Sequence, residues 1–181
     1  MRNFPLVETE RLILRQVTTS DASDIAEWMS DPVLYKYWAV KPSPHELDPI
    51  EYFGNEESLR KILDEYDDIN LMIYHKEDKK VIGEVEIYGI ESDYQGEICY
   101  RLSPAYQGQG LCAEAVKAFC EAVFLHTKLG RISAHIDVRN IGSEKMIKKI
   151  GFSYEGTSRQ QLCFDTISDW RLYSFLRDDI K

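Results

Sequence analysis

Two glycines lie between a short apolar run and a long apolar pattern. The run at residues 98–102 is closed by Ser103 and Pro104, Gly108 and Gly110 follow, and the apolar pattern then continues to position 126. This order predicts a strand, a glycine loop and a helix. The N–H groups in the first turn of a helix have no partner inside the helix, and glycines let a ligand approach the backbone closely. The stretch therefore predicts a binding site for a phosphorylated ligand.

Two common phosphate-binding motifs fit this stretch poorly. No Lys-Ser or Lys-Thr follows either glycine, as the phosphate loop of nucleotide hydrolases would require. Gly108, Gly110 and Ala113 do satisfy the dinucleotide fingerprint G-x-G-x-x-A. That fingerprint follows its strand directly and has an acidic residue about 20 positions later, whereas residues 104–106 intervene here and residues 130–133 contain no carboxylate. The pattern disfavours a dinucleotide site.

Read from Gln107 to Cys112, the loop resembles the acetyl-CoA motif [QR]-x-x-G-x-[GA] of the GNAT N-acetyltransferase superfamily, with Cys112 in place of the last small residue. Further segments are similar to the RimJ/RimL-type branch, whose members acetylate protein N-termini. They read Glu97-Ile-Cys-Tyr100, Asn140-Ile-Gly-Ser143 and Lys149-Ile-Gly-Phe152. The resemblance runs from about residue 9 to the C-terminus.

The resemblance implies a single domain over residues 1–181 with the α/β (α+β) fold of this superfamily. That fold has one mixed, mostly antiparallel sheet, splayed between its fourth and fifth strands, with helices on both faces. The resemblance also implies acetyl-CoA as cosubstrate, with its pantetheine along the strand ending at Leu102 and the Leu102 N–H facing the thioester oxygen. Asn140 and Ser143 would contact the pantetheine, and the diphosphate would bind to the loop residues Gln107, Gly108, Gln109, Gly110, Leu111 and Cys112.

Carboxylates within the predicted central strands are candidates for binding and deprotonating an amine. Glu97 and Glu86 are candidate general bases and Glu84 is a third, although each could instead be an ion-paired surface residue. With Tyr37 and Trp38, which follow the first helix, Glu84 and Glu86 are predicted to line the acceptor side of a cleft. The aromatic pair could equally belong to the core.

The leaving thiolate needs a hydrogen-bond donor. Many members of the superfamily use a tyrosine seven residues after the Asn, but Ile147 occupies that position here. Ser143 is the substitute that RimJ/RimL-like members suggest, and it could also serve only as a helix cap. Asn140 could likewise only turn the backbone. His135, within a predicted strand, reads as a satisfied sheet residue and not as a base.

Composition limits the partners. The chain has 22 basic and 31 acidic residues among 181, a formal charge of −9, which argues against nucleic acid and is compatible with a cationic acceptor. The four cysteines have no metal-ligand spacing, so no metal is expected. No segment has the apolar length of a signal peptide or a membrane span, so we expect no membrane partner and a cytoplasmic location. Members of the superfamily are often dimers, which makes a homodimer possible.

Periodicity predicts the element order β-α-α-β-β-β-α-β-α-β-β. Helices are expected at 22–29, 56–65, 113–126 and 143–150, and strands at 11–15, 69–74, 81–88, 97–102 and 132–138, with two more after residue 154. In the third strand, alternation predicts Val81, Gly83, Val85 and Ile87 on one face and Ile82, Glu84, Glu86 and Tyr88 on the other.

These observations together predict an N-acetyltransferase that moves the acetyl group of acetyl-CoA to a primary amine by direct attack. The α-amine of a protein N-terminus is the preferred acceptor. Two alternatives remain open at this point: an acetyltransferase of a small amine such as a polyamine or aminoglycoside, and a non-catalytic acyl-CoA-binding module.

Overall fold

The computed structural model describes residues 4–38, 41–65, 69–163 and 166–180. Within these ranges the chain forms one eight-stranded sheet and six α-helices. The strands are β1 (Val7–Glu8), β2 (Leu12–Arg15), β3 (Ile69–His75), β4 (Lys80–Glu91), β5 (Gln95–Leu102), β6 (Arg131–Asp137), β7 (Ser153–Cys163) and β8 (Thr166–Leu176). The helices are α1 (Ala22–Ala26), α2 (Pro44–Leu47), α3 (Pro49–Phe53), α4 (Glu56–Glu65), α5 (Leu111–His126) and α6 (Ile141–Ile150).

The sheet is mixed and splayed at one position. Its strand order is β1-β2-β3-β4-β5-β6-β8-β7, and every neighbouring pair is antiparallel except β5 and β6. These two parallel strands pair at residues 95–97 with residues 131–133, and then they diverge. Because β1 is absent from the sequence prediction, β5 and β6 are the predicted fourth and fifth strands. The predicted fold and its splay are confirmed.

The main core lies between one face of the sheet and helices α5 and α6. Helix α5 contributes Phe119, Cys120 and Val123, all fully buried, while α6 contributes Ile147. Apolar residues occur nearly all round α5, and a helix of that kind packs on more than one surface. The other face is covered by a smaller cluster from α1, α3 and α4, which leaves the region around β5 and β6 open on that side.

A bulge corrects the predicted faces at the start of β4. Val81 pairs with Tyr74 and Gly83 pairs with Ile73, so Ile82 is an extra residue on its strand. As a result Ile82 packs in the main core and Val81 in the smaller cluster, the reverse of the predicted arrangement. A β-bulge places two residues opposite one, which interrupts the period of two on which the prediction rested.

Helix limits differ from the prediction in two ways. Helix α1 ends at position 26 and not at 29, while α5 and α6 each begin two residues early. The proline-rich segment after position 42 contains two short helices that were not predicted, each with proline at its first position. Proline suits this position because its missing N–H would be unpaired there anyway. No helix in the described ranges has the length and apolar character needed to cross a membrane.

Candidate functional site

A cleft of about 410 Å³ opens where β5 and β6 diverge. Alternation along β5 directs Ile98 and Tyr100 to the α5–α6 face of the sheet and Glu97 and Cys99 to the opposite face. The cleft therefore passes through the sheet and opens on both faces. Its lining consists of Tyr37, Trp38, Glu86, Tyr88, Glu97, Ile98, Cys99, Tyr100, Ala134, His135, Ile136, Asp137, Asn140, Ser143 and Trp170.

One edge of β5 is without a strand partner beyond the splay. The Ser103 N–H donates to the Ile82 carbonyl at 2.7 Å, on the β4 side. Since backbone groups in an antiparallel pair alternate between the two edges, the N–H groups of Leu102 and Tyr100 point to the edge that β6 has left. Leu102 lies beyond the lining of the cleft, and its carbonyl accepts a hydrogen bond from Gln107 Nε2 at 2.9 Å.

The glycine loop connects this edge to helix α5. Gly108 and Gly110 have φ of 77° and 79°, a left-handed conformation that costs a residue with a Cβ about 1–2 kcal/mol. The first helical hydrogen bond runs from Glu114 N to Gly110 O, so the N–H groups of residues 111–113 precede the first helical bond. A Cβ on Gly108 would meet nothing within 4 Å. The loop thus leaves backbone donors and space for an anion such as a diphosphate.

The turn between β1 and β2 braces this loop. Arg11 Nη1 donates to the Gln109 carbonyl at 3.0 Å, and Arg11 Nε donates to Glu114 at 2.7 Å. Thr9 Oγ1 donates to the same carboxylate at 2.6 Å. Fixing the Gln109 carbonyl also fixes the peptide plane that carries the Gly110 N–H. Sequence reasoning missed Arg11, because nothing in the local pattern indicates contact with a loop nearly 100 residues away.

Two hydroxyl groups meet on the α6 side of the cleft. The oxygens of Tyr100 and Ser143 lie 2.6 Å apart. The Ser143 N–H donates to Asn140 Oδ1 at 3.2 Å, so Asn140 is the N-cap of α6. Burial raises the pKa of Tyr100, which therefore stays protonated at neutral pH. Sequence reasoning quoted Tyr100 as part of a motif without giving it a role, although alternation with Glu97 could have assigned it to the face of Ser143.

A carboxylate and an imidazole meet on the opposite side. His135 Nδ1 lies 2.9 Å from Glu97 Oε2, and both side chains are about one-quarter to one-third exposed, at 31% and 25% respectively. The hydrogen bond to Glu97 raises the pKa of His135, while partial burial opposes the rise. Burial and then hydrogen bonding to Glu97 raise the pKa of Tyr88. His135 is thus a partner of a predicted site residue, a role that its strand position alone did not reveal.

The two other predicted carboxylates differ in position. Glu86 lines the cleft. Glu84, 3% exposed, lies outside the lining and forms a buried ion pair with Arg101. Arg101 also pairs with Glu46 of α2 and donates to the Tyr35 hydroxyl at 2.9 Å. The prediction that Glu84 lines the acceptor side therefore needs correction, because Arg101 on the adjacent strand occupies its carboxylate.

Aromatic side chains form the mouth of the cleft on this side. They are Tyr37 and Trp38, from the segment between α1 and α2, and Trp170 of β8. The guanidinium carbon of Arg101 lies 4.5 Å from the centre of the Trp38 ring, so the same cation that binds Glu46 also supports this wall. Asp137, also in the lining, accepts hydrogen bonds from Arg139 Nε and Ser168 Oγ at 2.8 and 2.9 Å.

Three further positions named from the sequence, Ile147, Leu111 and Cys112, have side chains packed in or against the main core. Ile147 is fully buried in the core beneath α6 and supplies no proton. Leu111 is buried at the start of α5, and burial raises the pKa of Cys112 to about 12, so this thiol is protonated at neutral pH. Within the described ranges no cluster of three or more His, Cys, Asp or Glu side chains has the spacing of a metal site.

Comparisons with known proteins agree with this geometry. Residues 11–153 match the profile of the acetyltransferase (GNAT) domain. The chain is 27% identical to an uncharacterised N-acetyltransferase, YoaA of Bacillus subtilis (strain 168), over 96% of this chain and 98% of that protein. It is similar to the crystal structure of ribosomal-protein-S5-alanine acetyltransferase from Vibrio fischeri (27% identity, TM-score 0.81, 98% and 99% of the two chains). Spermidine N-acetyltransferase from Vibrio cholerae, solved with CoA and spermine, shares the fold (20% identity, TM-score 0.79, 94% and 98%).

Proposed function

This chain belongs to the acetyltransferase (GNAT) domain family and is an acetyl-CoA-dependent N-acyltransferase, and we propose that its acceptor is the α-amino group of a protein N-terminus. The observation that carries the proposal is the cleft through the splayed sheet. It brings a pair of hydroxyl groups on one side opposite a carboxylate–imidazole pair on the other. Donor and acceptor can then enter from opposite faces and meet at the splay.

The donor side can hold acetyl-CoA through backbone groups. The glycine loop offers its exposed amides to the diphosphate, and the free edge of β5 offers backbone groups to the pantetheine. The N–H groups of Leu102 and Tyr100 on that edge are donors for the thioester oxygen as negative charge develops on it. One such preorganised donor contributes roughly 3 kcal/mol to stabilising the transition state.

The leaving group is stabilised by the hydroxyl pair. In our proposal Ser143 donates a hydrogen bond to the departing thiolate, and Tyr100 donates to Ser143 in turn. Such a chain is stronger than an isolated hydroxyl, because each donor polarises the next. Ile147 in place of the usual tyrosine does not by itself favour a non-catalytic acyl-CoA-binding module, because Ser143 and Tyr100 provide hydroxyl donors in the cleft.

The acceptor side suits an amine with a single positive charge. Three carboxylates, those of Glu86, Glu97 and Asp137, lie among the described lining residues, and Asp137 already accepts hydrogen bonds from Arg139 and Ser168. A polyamine carries several charges and would need more carboxylates along its length. The aromatic rings at the mouth provide apolar contact for the side chain of a first residue.

Proton affinity also favours an α-amine. An α-amino group has a pKa of about 7.8 and a lysine side chain about 10.4, so obtaining the neutral lysine costs about 3.5 kcal/mol more. The partly exposed Glu97–His135 pair is a modest base, which is adequate for an α-amine and not for a lysine side chain. The name of the similar Vibrio fischeri protein, an acetyltransferase of ribosomal protein S5 at alanine, supports the same class of acceptor.

An acceptor panel tests the proposal. We expect release of free CoA thiol with acetyl-CoA and peptides that begin with Ser or Ala. We expect at least 100-fold lower kcat/KM with the same peptides when the N-terminus is blocked and an internal lysine is the available amine, as the difference of about 3.5 kcal/mol predicts. Spermidine and an aminoglycoside complete the panel. Turnover of these small amines with no turnover of peptides would overturn the proposed acceptor.

A further inference from the structure

His135 lines the cleft beside Glu97, and the two side chains form the pair proposed as the base. Its Nδ1 lies 2.9 Å from Glu97 Oε2, so Nε2 is the ring nitrogen that faces away from this carboxylate. A neutral imidazole with Nδ1–H donated to a carboxylate presents a lone pair on Nε2. The side chain is 31% exposed, so Nε2 can exchange a proton with water after it accepts one.

The ordinary pKa values of Glu97 and His135 indicate which of the two is the better proton acceptor. In short peptides a glutamate carboxyl has a pKa of about 4.3, an imidazole about 6.5 and an α-amine about 7.8. Transfer of a proton from the protonated amine to a carboxylate is unfavourable by about 3.5 pKa units, and transfer to an imidazole is unfavourable by about 1.3. A catalytic base works best when its pKa is close to the operating pH. The imidazole is the better matched base.

We infer that His135 is the general base of the reaction, with Glu97 as the residue that orients it. This inference rests on the proposed function and assigns one step of it. It also revises the prediction that Glu97 itself removes the proton, since Glu97 then acts through the imidazole and is a positioning residue.

The bound ammonium first gives one proton to Nε2 of His135, which passes it to water. The neutral amine nitrogen then forms a bond to the thioester carbon, and one of its two remaining protons moves to Nε2 of His135. The C–S bond then breaks, and its electron pair leaves on sulfur. The thiolate, held by the hydroxyl of Ser143, gains a proton from water, while the imidazolium returns its proton to water. The products are the N-acetyl amide and CoA thiol.

The charges around His135 set the direction of its pKa. Glu97 on β5 faces it and raises the pKa through a hydrogen bond and through charge, whereas partial burial and Arg131 on β6 lower it. The Trp170 ring on β8 lies 6.2 Å away and carries no charge. The net effect is a raised pKa. Neutral His135 is therefore lost as the pH falls through a value above 6.5, and activity should fall with it.

The test measures kcat against pH, at saturating peptide and acetyl-CoA, for the wild type and three variants. Rates at saturation report ionisations of the bound complex, so the ionisation of the free amine does not contribute. We expect His135→Gln to lower kcat about 100-fold and to abolish the acidic limb, since general bases contribute at least this factor. Glu97→Gln should keep a limb but move it to lower pH. His126→Gln, an exposed histidine of α5 far from the cleft, is the matched control and should behave as the wild type.

Folding of each variant is checked by calorimetric binding of CoA, which His135 should not alter. A wild-type kcat and acidic limb in His135→Gln would overturn the inference, as would an unmoved limb in Glu97→Gln. If the wild type acetylates small amines and no peptide, the proposed acceptor fails, and the same variants assayed with that amine still decide the role of His135.

Discussion

At the scale of single residues, Ser143 uses two different groups, whereas sequence reasoning treated a helix cap and a donor in the cleft as alternatives. Its backbone N–H takes part in capping α6 through Asn140, and its hydroxyl is bonded to Tyr100 inside the cleft. The cap uses the backbone group and the cleft uses the side chain, so the two functions do not compete. The cap at Asn140 fixes the backbone of Ser143, and the packing of α6 against β5 places the Tyr100 hydroxyl next to its side chain.

The hydrogen bond between Tyr100 and Ser143 predicts that mutations of the two residues have coupled effects on kcat. We expect Ser143→Ala to lower kcat roughly 10- to 100-fold, since a hydrogen bond to a charged group contributes about 1.5–3 kcal/mol. Tyr100→Phe should lower kcat about tenfold in the wild-type background. If Tyr100 acts through Ser143, it should have no further effect in Ser143→Ala, which steady-state kinetics of the double mutant will measure.

Tyr154→Phe is the matched control, because its hydroxyl is bonded to Thr157 at an exposed site outside the cleft. Additive losses in the double mutant would show that Tyr100 acts independently of the serine. The coupling assigned here would then be wrong.

At the scale of elements, the glycine loop depends on a turn that precedes it by nearly 100 residues. The β1–β2 turn places Arg11 against the Gln109 carbonyl and against Glu114 in the first turn of α5. Burial by itself would raise the pKa of Glu114, but bonds from Thr9 and Arg11 hold it below its usual range, so this carboxylate is charged at neutral pH. The ion pair thus joins the sheet edge, the loop and the helix.

The brace leads to a prediction that separates cofactor binding from folding. Arg11→Gln should raise KM for acetyl-CoA about tenfold, because losing a charged hydrogen bond of about 1.5 kcal/mol loosens the amides that we propose bind the diphosphate. S-acetyl-pantetheine has no diphosphate, so its kcat/KM should be unchanged. Arg60→Gln on α4 is the control. Equal losses with both donors would contradict a role in the loop.

At the scale of the whole molecule, one buried cation joins the sheet to the aromatic wall of the cleft. Arg101 of β5 pairs with Glu84 on the adjacent strand and with Glu46 of α2, and it also supports the Trp38 ring. Burial alone would raise the pKa of Glu46, but the charge of Arg101 and bonds from Ser43 keep it below its usual range. This side of the cleft therefore has an ionic anchor beneath the Trp38 ring.

We expect Glu46→Gln to lower the free energy of unfolding by about 3 kcal/mol, since removing one partner leaves a buried charge incompletely compensated. It should also raise KM for the peptide while KM for acetyl-CoA stays constant, because the loosened wall is on the acceptor side. Denaturant titration and two-substrate kinetics measure both effects. Glu57→Gln, which removes an exposed carboxylate paired with Lys61 on α4, should change neither. If KM for the peptide and KM for acetyl-CoA rise together, the effect of Glu46 is not confined to the aromatic side of the cleft.

The resemblance to a known superfamily supplied the splayed sheet, whereas the sequence by itself determined the glycine loop, most helices and most strands. These features follow from backbone conformation and from periodicity, which depend on residues close together along the chain. The tertiary structure alone decided the pairs that give the cleft its chemistry. Tyr100 and Ser143 are 43 residues apart along the chain. Glu97 pairs with His135, whereas Glu84 pairs with Arg101. Alternation assigns a side chain to a face of the sheet, but its neighbour on that face depends on strand register and on helices packed from elsewhere in the chain.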